Sequence, residues 1–287
     1  MEKNKRILKI CLFLLGVFLL ACVGLTNCLQ LKEPVFLKLY GEYGVSGAGQ
    51  VSKSDVFALQ YITNRSDRRQ IRQVLFQEKP TLHFYPVGEN QIHGQLNASE
   101  RESGVYRVCT VWLQAVDAYA SVPENGLELS NATIVMSDES VLHARLGRIL
   151  LYREREMETP LFVESMSVGG DTSMTDYMAQ QNMELIRITS PLLPEIQNQV
   201  EIKIKNKDYR QVKGDCFQEG ENFYIRSKFS LPKETKDIFN SYEIRPVLYY
   251  RTQDGTVYKK RIYNIRYQPE QFDFWDLLRY LREKGKL

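Results

Sequence analysis

The chain has 287 residues, 43% hydrophobic, 25% charged and 11% aromatic, with a formal net charge of +3. Lys3, Lys5, Arg6 and Lys9 account for that surplus, so the rest is near neutral and has no basic footprint for nucleic acid. Ordinary glycine and proline content and 17 tyrosines argue against disorder, and the length suits two ordinary cores better than one large one.

The first element is an uncharged run from Ile10 to Leu31. As a helix it would span about 33 Å, enough for a hydrocarbon core of about 30 Å. Thirteen of its residues are Leu, Ile, Phe or Val, and it lacks the polar face of a soluble helix until Thr26. Residues 1–31 are therefore read as a short cytoplasmic tail and transmembrane anchor. The basic flank precedes the run, which keeps the N-terminus inside and translocates the body. So short a tail leaves no room for a cytoplasmic effector domain.

Leu19-Leu20-Ala21-Cys22 resembles the bacterial lipoprotein signal, which implies Cys22 as a lipidation candidate. Val23 to Leu31, which follow, stay largely apolar where such signals turn polar, so a spanning anchor is preferred to lipidation, and either to ordinary cleavage. All three outcomes place the body outside the cytoplasm. The lysine-rich leader and Cys22 together point to a bacterial cell envelope. Asn64-Arg-Ser, Asn97-Ala-Ser and Asn131-Ala-Thr match the glycosylation acceptor and would matter only in a eukaryotic host. Cys109, in an apolar strand, and Cys216, in a turn, are read as unpaired.

Strand patterns follow at Val35 to Tyr40, Val56 to Thr63, Thr81 to Tyr85, Val105 to Leu113, Ala132 to Met136 and Val141 to Tyr152. They define a first β domain over 32–158. Residues 159–182, with Gly169-Gly170-Asp171, lose the pattern and read as a linker or long loop. A second β domain over 183–268 has strands at Met183 to Thr189, Gln199 to Ile204, Asn222 to Phe229, Tyr242 to Arg251 and Thr256 to Tyr267. The last two read as a hairpin about Asp254-Gly255 with a two-residue type I′ turn, pairing Val247 with Ile262, Tyr249 with Lys260 and Arg251 with Tyr258.

Asn64-Arg-Ser-Asp67-Arg-Arg69-Gln70-Ile71 reappears, one residue shorter, as Asn206-Lys-Asp208-Tyr-Arg210-Gln211-Val212. Turn chemistry at strand ends produces such matches by chance, but a repeat also fits tandem domains. The expected fold class is mainly β: an anchor, two β-sandwich (immunoglobulin-like) domains and a short C-terminal helix over 269–287. In that helix Pro269 can open the first turn, acids precede bases, and Phe274, Leu277, Leu278 and Leu281 form an apolar stripe. Docking on the adjacent sandwich is the first explanation of the stripe; Phe274, Trp275 and Leu278 are the candidate contacts for a partner.

Chemical signatures are sparse. His83, His93 and His143 form no HExxH pair or zinc-ligand spacing, so no metal, cofactor or catalytic residue is nominated. Gly44 to Gly49 lacks the Lys-Ser/Thr of a phosphate loop, and Ser230-Leu-Pro-Lys233 has a proline where a helix would present the serine. Glu154, Glu156 and Glu158 and the arginines at 65, 68, 69 and 72 read as solvated charge. The expected function is a membrane-anchored, extracytoplasmic interaction or binding protein without catalytic activity, whose partners are the membrane and another cell-envelope protein. The alternatives are an accessory subunit of an envelope transport or secretion complex and, less favoured, an envelope hydrolase using carboxylates that spacing cannot reveal.

Overall fold

The computed structural model describes residues 12–18, 24, 27–46, 56–87, 99–116, 118–154, 159–230, 234–263 and 265–287. The chain is mainly β. The first half contributes β1 (Val35–Phe36), β2 (Leu39–Val45), β3 (Val56–Asn64), β4 (Ile71–Phe76), β5 (Lys79–Pro86), β6 (Ser99–Ser103), β7 (Tyr106–Ala115), β8 (Leu127–Met136) and β9 (Val141–Arg153). The second half contributes β10 (Leu161–Gly169), β11 (Thr172–Ala179), β12 (Met183–Thr189), β13 (Val200–Ile204), β14 (Lys207–Asp208), β15 (Cys216–Phe217) and β16 (Asn222–Phe229). It ends with β17 (Ser241–Ile244), β18 (Val247–Thr252), β19 (Val257–Arg261), β20 (Ile265–Tyr267) and a helix at Phe274–Glu283.

In the first half β1, β3 and β7 pair as one wall, and β5, β4, β8 and β9 as the other, with β2 added to β9 in parallel. The walls stay continuous because β5 also pairs β7. Between them lies a core that includes Phe57, Leu59, Val74, Phe76, Phe84, Leu113, Ile134 and Ile149, with Phe84 edge-on to both Phe57 and Phe76. Alternating burial, as in the Ile71–Phe76 pattern, puts one face of each strand into this core.

In the second half β10-β11-β16-β13 packs on β12-β18-β19 around Tyr177, Leu185, Ile202, Phe223, Ile225, Leu248 and Tyr250. Lettered in chain order, these strands are A-B-E-D against C-F-G, the arrangement of a constant-type immunoglobulin sandwich.

Residues 159–182 are not a linker. They form the β10–β11 hairpin, with Leu161 paired to Ala179 and Gly169 to Thr172. Alternation fails as a signal there because β10 is exposed on both faces beyond Val163 and because polar Ser173 and Thr175 take buried positions in β11. The predicted strand Tyr242 to Arg251 is two, β17 and β18, parted at Arg245-Pro246, since proline has no N–H to give a ladder. The β18–β19 hairpin is shifted by one residue from expectation: Val247 pairs with Arg261, Tyr249 with Lys259 and Tyr250 with Tyr258. The Gly255 N–H donates to the Thr252 carbonyl at 2.9 Å and Gly255 alone in the loop takes positive φ, +86°. That is a three-residue turn ending in a left-handed bulge residue, not the two-residue I′ turn.

The two halves are coupled by β2, which lies between β9 and β17 and pairs with both in parallel. Gly147 has φ +102°, and a Cβ there would collide with the Leu39 carbonyl, so glycine lets β9 approach β2 this closely. β2 is buried throughout except Tyr40, and its Glu42 is 1% exposed. The Glu42 carboxylate accepts from the Arg245 backbone N–H at 2.7 Å and from the Ser190 hydroxyl. Arg245, 5% exposed, donates to Glu243 at 2.9 Å and lies over the Tyr43 and Tyr263 rings. Tyr263 in turn donates to Glu154. A charged knot thus fills the seam, with every carboxylate hydrogen-bonded, as buried charge requires.

The internal repeat has equal geometry at its two sites. Asp67 accepts from the backbone N–H of Arg69 at 3.0 Å and from its guanidinium at 2.9 Å; Asp208 does the same for Arg210 at 2.9 and 2.8 Å. Buried Ile71 and Val212 follow at the same spacing. Burial alone would raise the Asp67 carboxyl, but hydrogen bonds from Arg69 and Thr63 outweigh it and hold it at about 2. A depressed acid stabilises the fold above its unfolded value near 4 and loses that contribution as pH falls through 4 toward 2. Asp67→Asn is expected to lower stability at pH 7 by up to about 2 kcal/mol. Its difference from the wild type should shrink on acidification to pH 2, which urea melts across that range check.

Candidate functional site

The C-terminal helix begins later than predicted. Pro269 does not open it: its carbonyl accepts from the buried Gln60 amide at 3.4 Å. Asp273 is the cap, in extended conformation, accepting from the Trp275 N–H at 2.8 Å. At the other end Gly285, φ +64°, reverses the chain so that the Lys286 N–H reaches the Leu281 carbonyl at 2.9 Å. That is a Schellman closure, which needs the left-handed glycine.

Leu277, Leu278, Tyr280 and Leu281 point inward and are buried. Leu277, Tyr280 and Leu281 meet Leu31, Val35, Leu37, Ile62, Tyr106, Val108 and Phe239, a third core on the outer face of the β1-β3-β7 wall. Of the three candidate partner contacts, Leu278 is buried, 7% exposed. Phe274 is half-buried, stacked on Tyr106 at 6.1 Å, and fits against Gly104, where a Cβ would strike the ring. Trp275 alone stands out, 67% exposed and edge-on to Phe274 at 5.2 Å. Arg279 and Arg282, four and seven residues on, are also exposed and share its face.

The same core fastens the chain as it leaves the apolar segment. The Leu31 N–H donates to Asn64 Oδ1 at 2.8 Å, Asn64 Nδ2 donates to the Leu31 carbonyl at 2.7 Å, and the Tyr106 hydroxyl donates to the Leu29 carbonyl at 2.8 Å. The Asn64 amide is therefore engaged at a sequon position. Sequence reasoning missed this role of Asn64 and Tyr106, because nothing local marks a side chain that bonds a backbone 33 or 77 residues away. Among the described residues no helix is long and apolar enough to cross a membrane. The apolar run is described over residues 12–18, 24 and 27–31, and Cys22 lies outside the described residues.

A second exposed surface is the β10–β11 hairpin. β10 is the edge of its sheet and, among the described residues, pairs as a strand with β11 alone. Phe162, Met166, Val168 and Met174 are 52%, 57%, 39% and 37% exposed. From Ser165 to Gly170 there is no charge and no proline, the usual guards of an edge.

His83 is held to Gln73 and His143 to Thr133, at 2.6 and 3.2 Å, and His93 lies outside the described residues. Cys109 and Cys216 are free thiols, one buried and one exposed. Among the described residues no three His, Cys, Asp or Glu side chains converge as for a metal ion. Residues 47–49, 156, 158 and 231–233 of the glycine-rich, acidic and Ser-x-x-Lys motifs lie outside the described residues.

No family model and no curated relative matches the chain. Among solved structures it is similar to fibronectin(III)-like modules of Clostridium thermocellum CbhA, at 9% identity and TM-score 0.18, over 84% of this chain and 94% of that one. It is also similar to the D00-D0 domain of intimin, at 8% identity and TM-score 0.23, over 80% and 98%. Superpositions this loose assign no activity; strand order is the firmer description of the fold.

Proposed function

We propose that this chain is a membrane-anchored, extracytoplasmic binding protein of a bacterial envelope, held by Ile10 to Leu31 and non-catalytic. Its binding element is the β10–β11 hairpin, which receives an extended segment of another envelope protein as an added strand. The observation that supports this reading is the edge position of β10, uncharged from Ser165 to Gly169 beyond Glu164, with exposed Phe162 and Val168 on opposite faces to select alternate side chains of the incoming strand. The Asn64 and Tyr106 bonds to residues 29–31 suit a body held at a fixed distance from its anchor.

Native copurification in mild detergent tests it, comparing wild type with Phe162→Lys and Val168→Lys. Each lysine supplies the charge that edges use against pairing, and both sites are exposed, so melting temperatures should hold. A partner retained by wild type should fall at least about tenfold in each variant, a loss of about 1.4 kcal/mol. A partner retained equally by both variants, or none retained by wild type, would overturn the hairpin as the binding element.

A further inference from the structure

A cavity of about 260 Å³ opens where three distant stretches meet: residues 33–38, the start of β9 and the end of the C-terminal helix. Lys38, Arg145, Lys284 and Lys286 line it with His143, against one carboxylate, Glu33. None of the four cations is ion-paired among the described residues, although Arg279 on the same helix pairs with Asp276 and nearby Lys236 with Glu234. Lys38 and Lys284 are half-buried, Arg145 and Lys286 exposed. Burial pushes the Lys284 ammonium below its ordinary value and Lys38 pushes it the same way, outweighing Asp237 and Glu283, while its Nζ lies 5.3 Å from the centre of the Tyr280 ring. The helix end does not offset this charge, because the carbonyls of Tyr280, Leu281 and Arg282 already accept from Lys284, Lys286 and Gly285.

We infer that this cavity is an anion site for a phosphate ester. Arg145 offers a planar fork for two phosphate oxygens and the lysines offer point charges around it. The Phe36 and Tyr280 side of the wall suits the carbon end of an ester. The volume sits just below the ~300 Å³ at which small-molecule pockets begin, which fits a headgroup and not a large cofactor. The source is placed by the anchor, and to that extent the inference rests on the anchored reading. The cavity wall begins at Glu33, two residues beyond Leu31, where the fastened chain would leave the bilayer, so anionic phospholipid headgroups are the nearest phosphate esters.

The test is calorimetric titration of the full chain in neutral detergent at low salt. The probes are dihexanoyl phosphatidylglycerol, dihexanoyl phosphatidylcholine and inorganic phosphate. Phosphatidylglycerol should bind at least about tenfold more tightly than phosphatidylcholine and weaken with salt. Arg145→Gln with Lys284→Gln should lose at least about tenfold in affinity, and Arg145→Lys should retain part of it. Unchanged melting temperatures would separate lost binding from lost folding. Inorganic phosphate binding as well as phosphatidylglycerol would support the anion site and overturn the lipid source. Equal binding of the two lipids with no loss in the double variant would overturn the site itself. Failure of the hairpin variants to lose their partner would leave this titration unchanged, so the two readings fail separately.

Discussion

Arg245→Ala is expected to lower the stability of the body by about 3–5 kcal/mol, the cost of removing one partner from a buried charged network. Arg245 is 5% exposed, with its guanidinium bonded to Glu243 at 2.9 Å and set between the Tyr43 and Tyr263 rings at 5.4 and 5.6 Å. Alanine leaves Glu243 without that cation, removes two cation–aromatic contacts, and opens a void that the seam between β2 and β17 cannot close without shifting. At about 2–4 °C per kcal/mol for a body of this size, the melting temperature should fall by about 6–20 °C. Arg245→Met, which keeps most of the volume, should cost less, because losing charge and shape together is worse than losing charge alone. The backbone at position 245 should stay in place in both variants, since Glu42 binds its N–H and not its side chain. Calorimetry should show one transition for wild type and a broadened or split one for Arg245→Ala, as the seam joins the two halves. An Arg245→Ala protein melting within a degree of wild type would mean that the cation contributes nothing to the seam.

Most strands were legible because one-sided burial writes itself as alternation: β8, with the burial of Leu129, Ala132, Ile134 and Met136, is an example. Two missed strands meet that condition in burial but not in sequence: polar Ser173 and Thr175 take inward positions in β11, and a register shift between Ile71 and Gln73 breaks the alternation of β4, while two others lack it altogether. β6 reads Ser-Glu-Arg-Glu-Ser and pairs only with β7 at the margin of its sheet, and β10 loses core contact after Val163. β17 was merged with β18 since Arg245-Pro246 carries no stronger mark than a proline inside an apolar run. The shifted hairpin has a similar cause: Asp254-Gly255 marks a turn, but loop length decides register, and two-residue and three-residue loops share that dipeptide. The coupling of the halves through parallel strands on both sides of β2 has no sequence signal, because such pairing links residues about a hundred and two hundred positions apart.

The candidate site was legible only in part, for a related reason. A helix face is local, so the apolar stripe of the C-terminal helix was plain. What the stripe rests on was not, because its floor is built from Leu31, Ile62, Tyr106 and Phe239, four separate stretches. The basic cavity is less visible still: Lys38, Arg145 and Lys284 sit in different parts of the chain, and only Lys284 belongs to a charge run, Arg282-Glu283-Lys284. Conversely, the arginines near Asp67, conspicuous in sequence, are largely taken by turn chemistry and surface pairs.

Leu281→Ala and Trp275→Ala decide what the helix is for, because the two side chains leave the same helix in opposite senses. Leu281 is fully buried in the third core, and truncating such a leucine costs about 2–5 kcal/mol through lost transfer energy and the cavity left behind. The same core includes Tyr106, whose hydroxyl holds the Leu29 carbonyl, so loosening the helix should also free residues 29–31. Hydrogen exchange should report this as faster exchange at the Leu31 N–H, which Asn64 now protects. Trp275, two-thirds in solvent, supports only the edge of Phe274, and its loss should change stability by under about 0.5 kcal/mol. What Trp275→Ala should change is its environment-sensitive contact. In nanodiscs containing phosphatidylglycerol, wild-type tryptophan emission should shift to the blue relative to detergent, as expected for an indole seated at a headgroup boundary beside Arg279 and Arg282. Comparison with Trp275→Ala isolates its signal from that of Trp112. If Leu281→Ala proves neutral while Trp275→Ala destabilises, the helix is held by its outer face and the docking account is wrong. The expected order, a costly inner leucine and a free outer tryptophan, would make the helix a brace between the body and the proposed anchor, with one aromatic side chain left for a membrane surface.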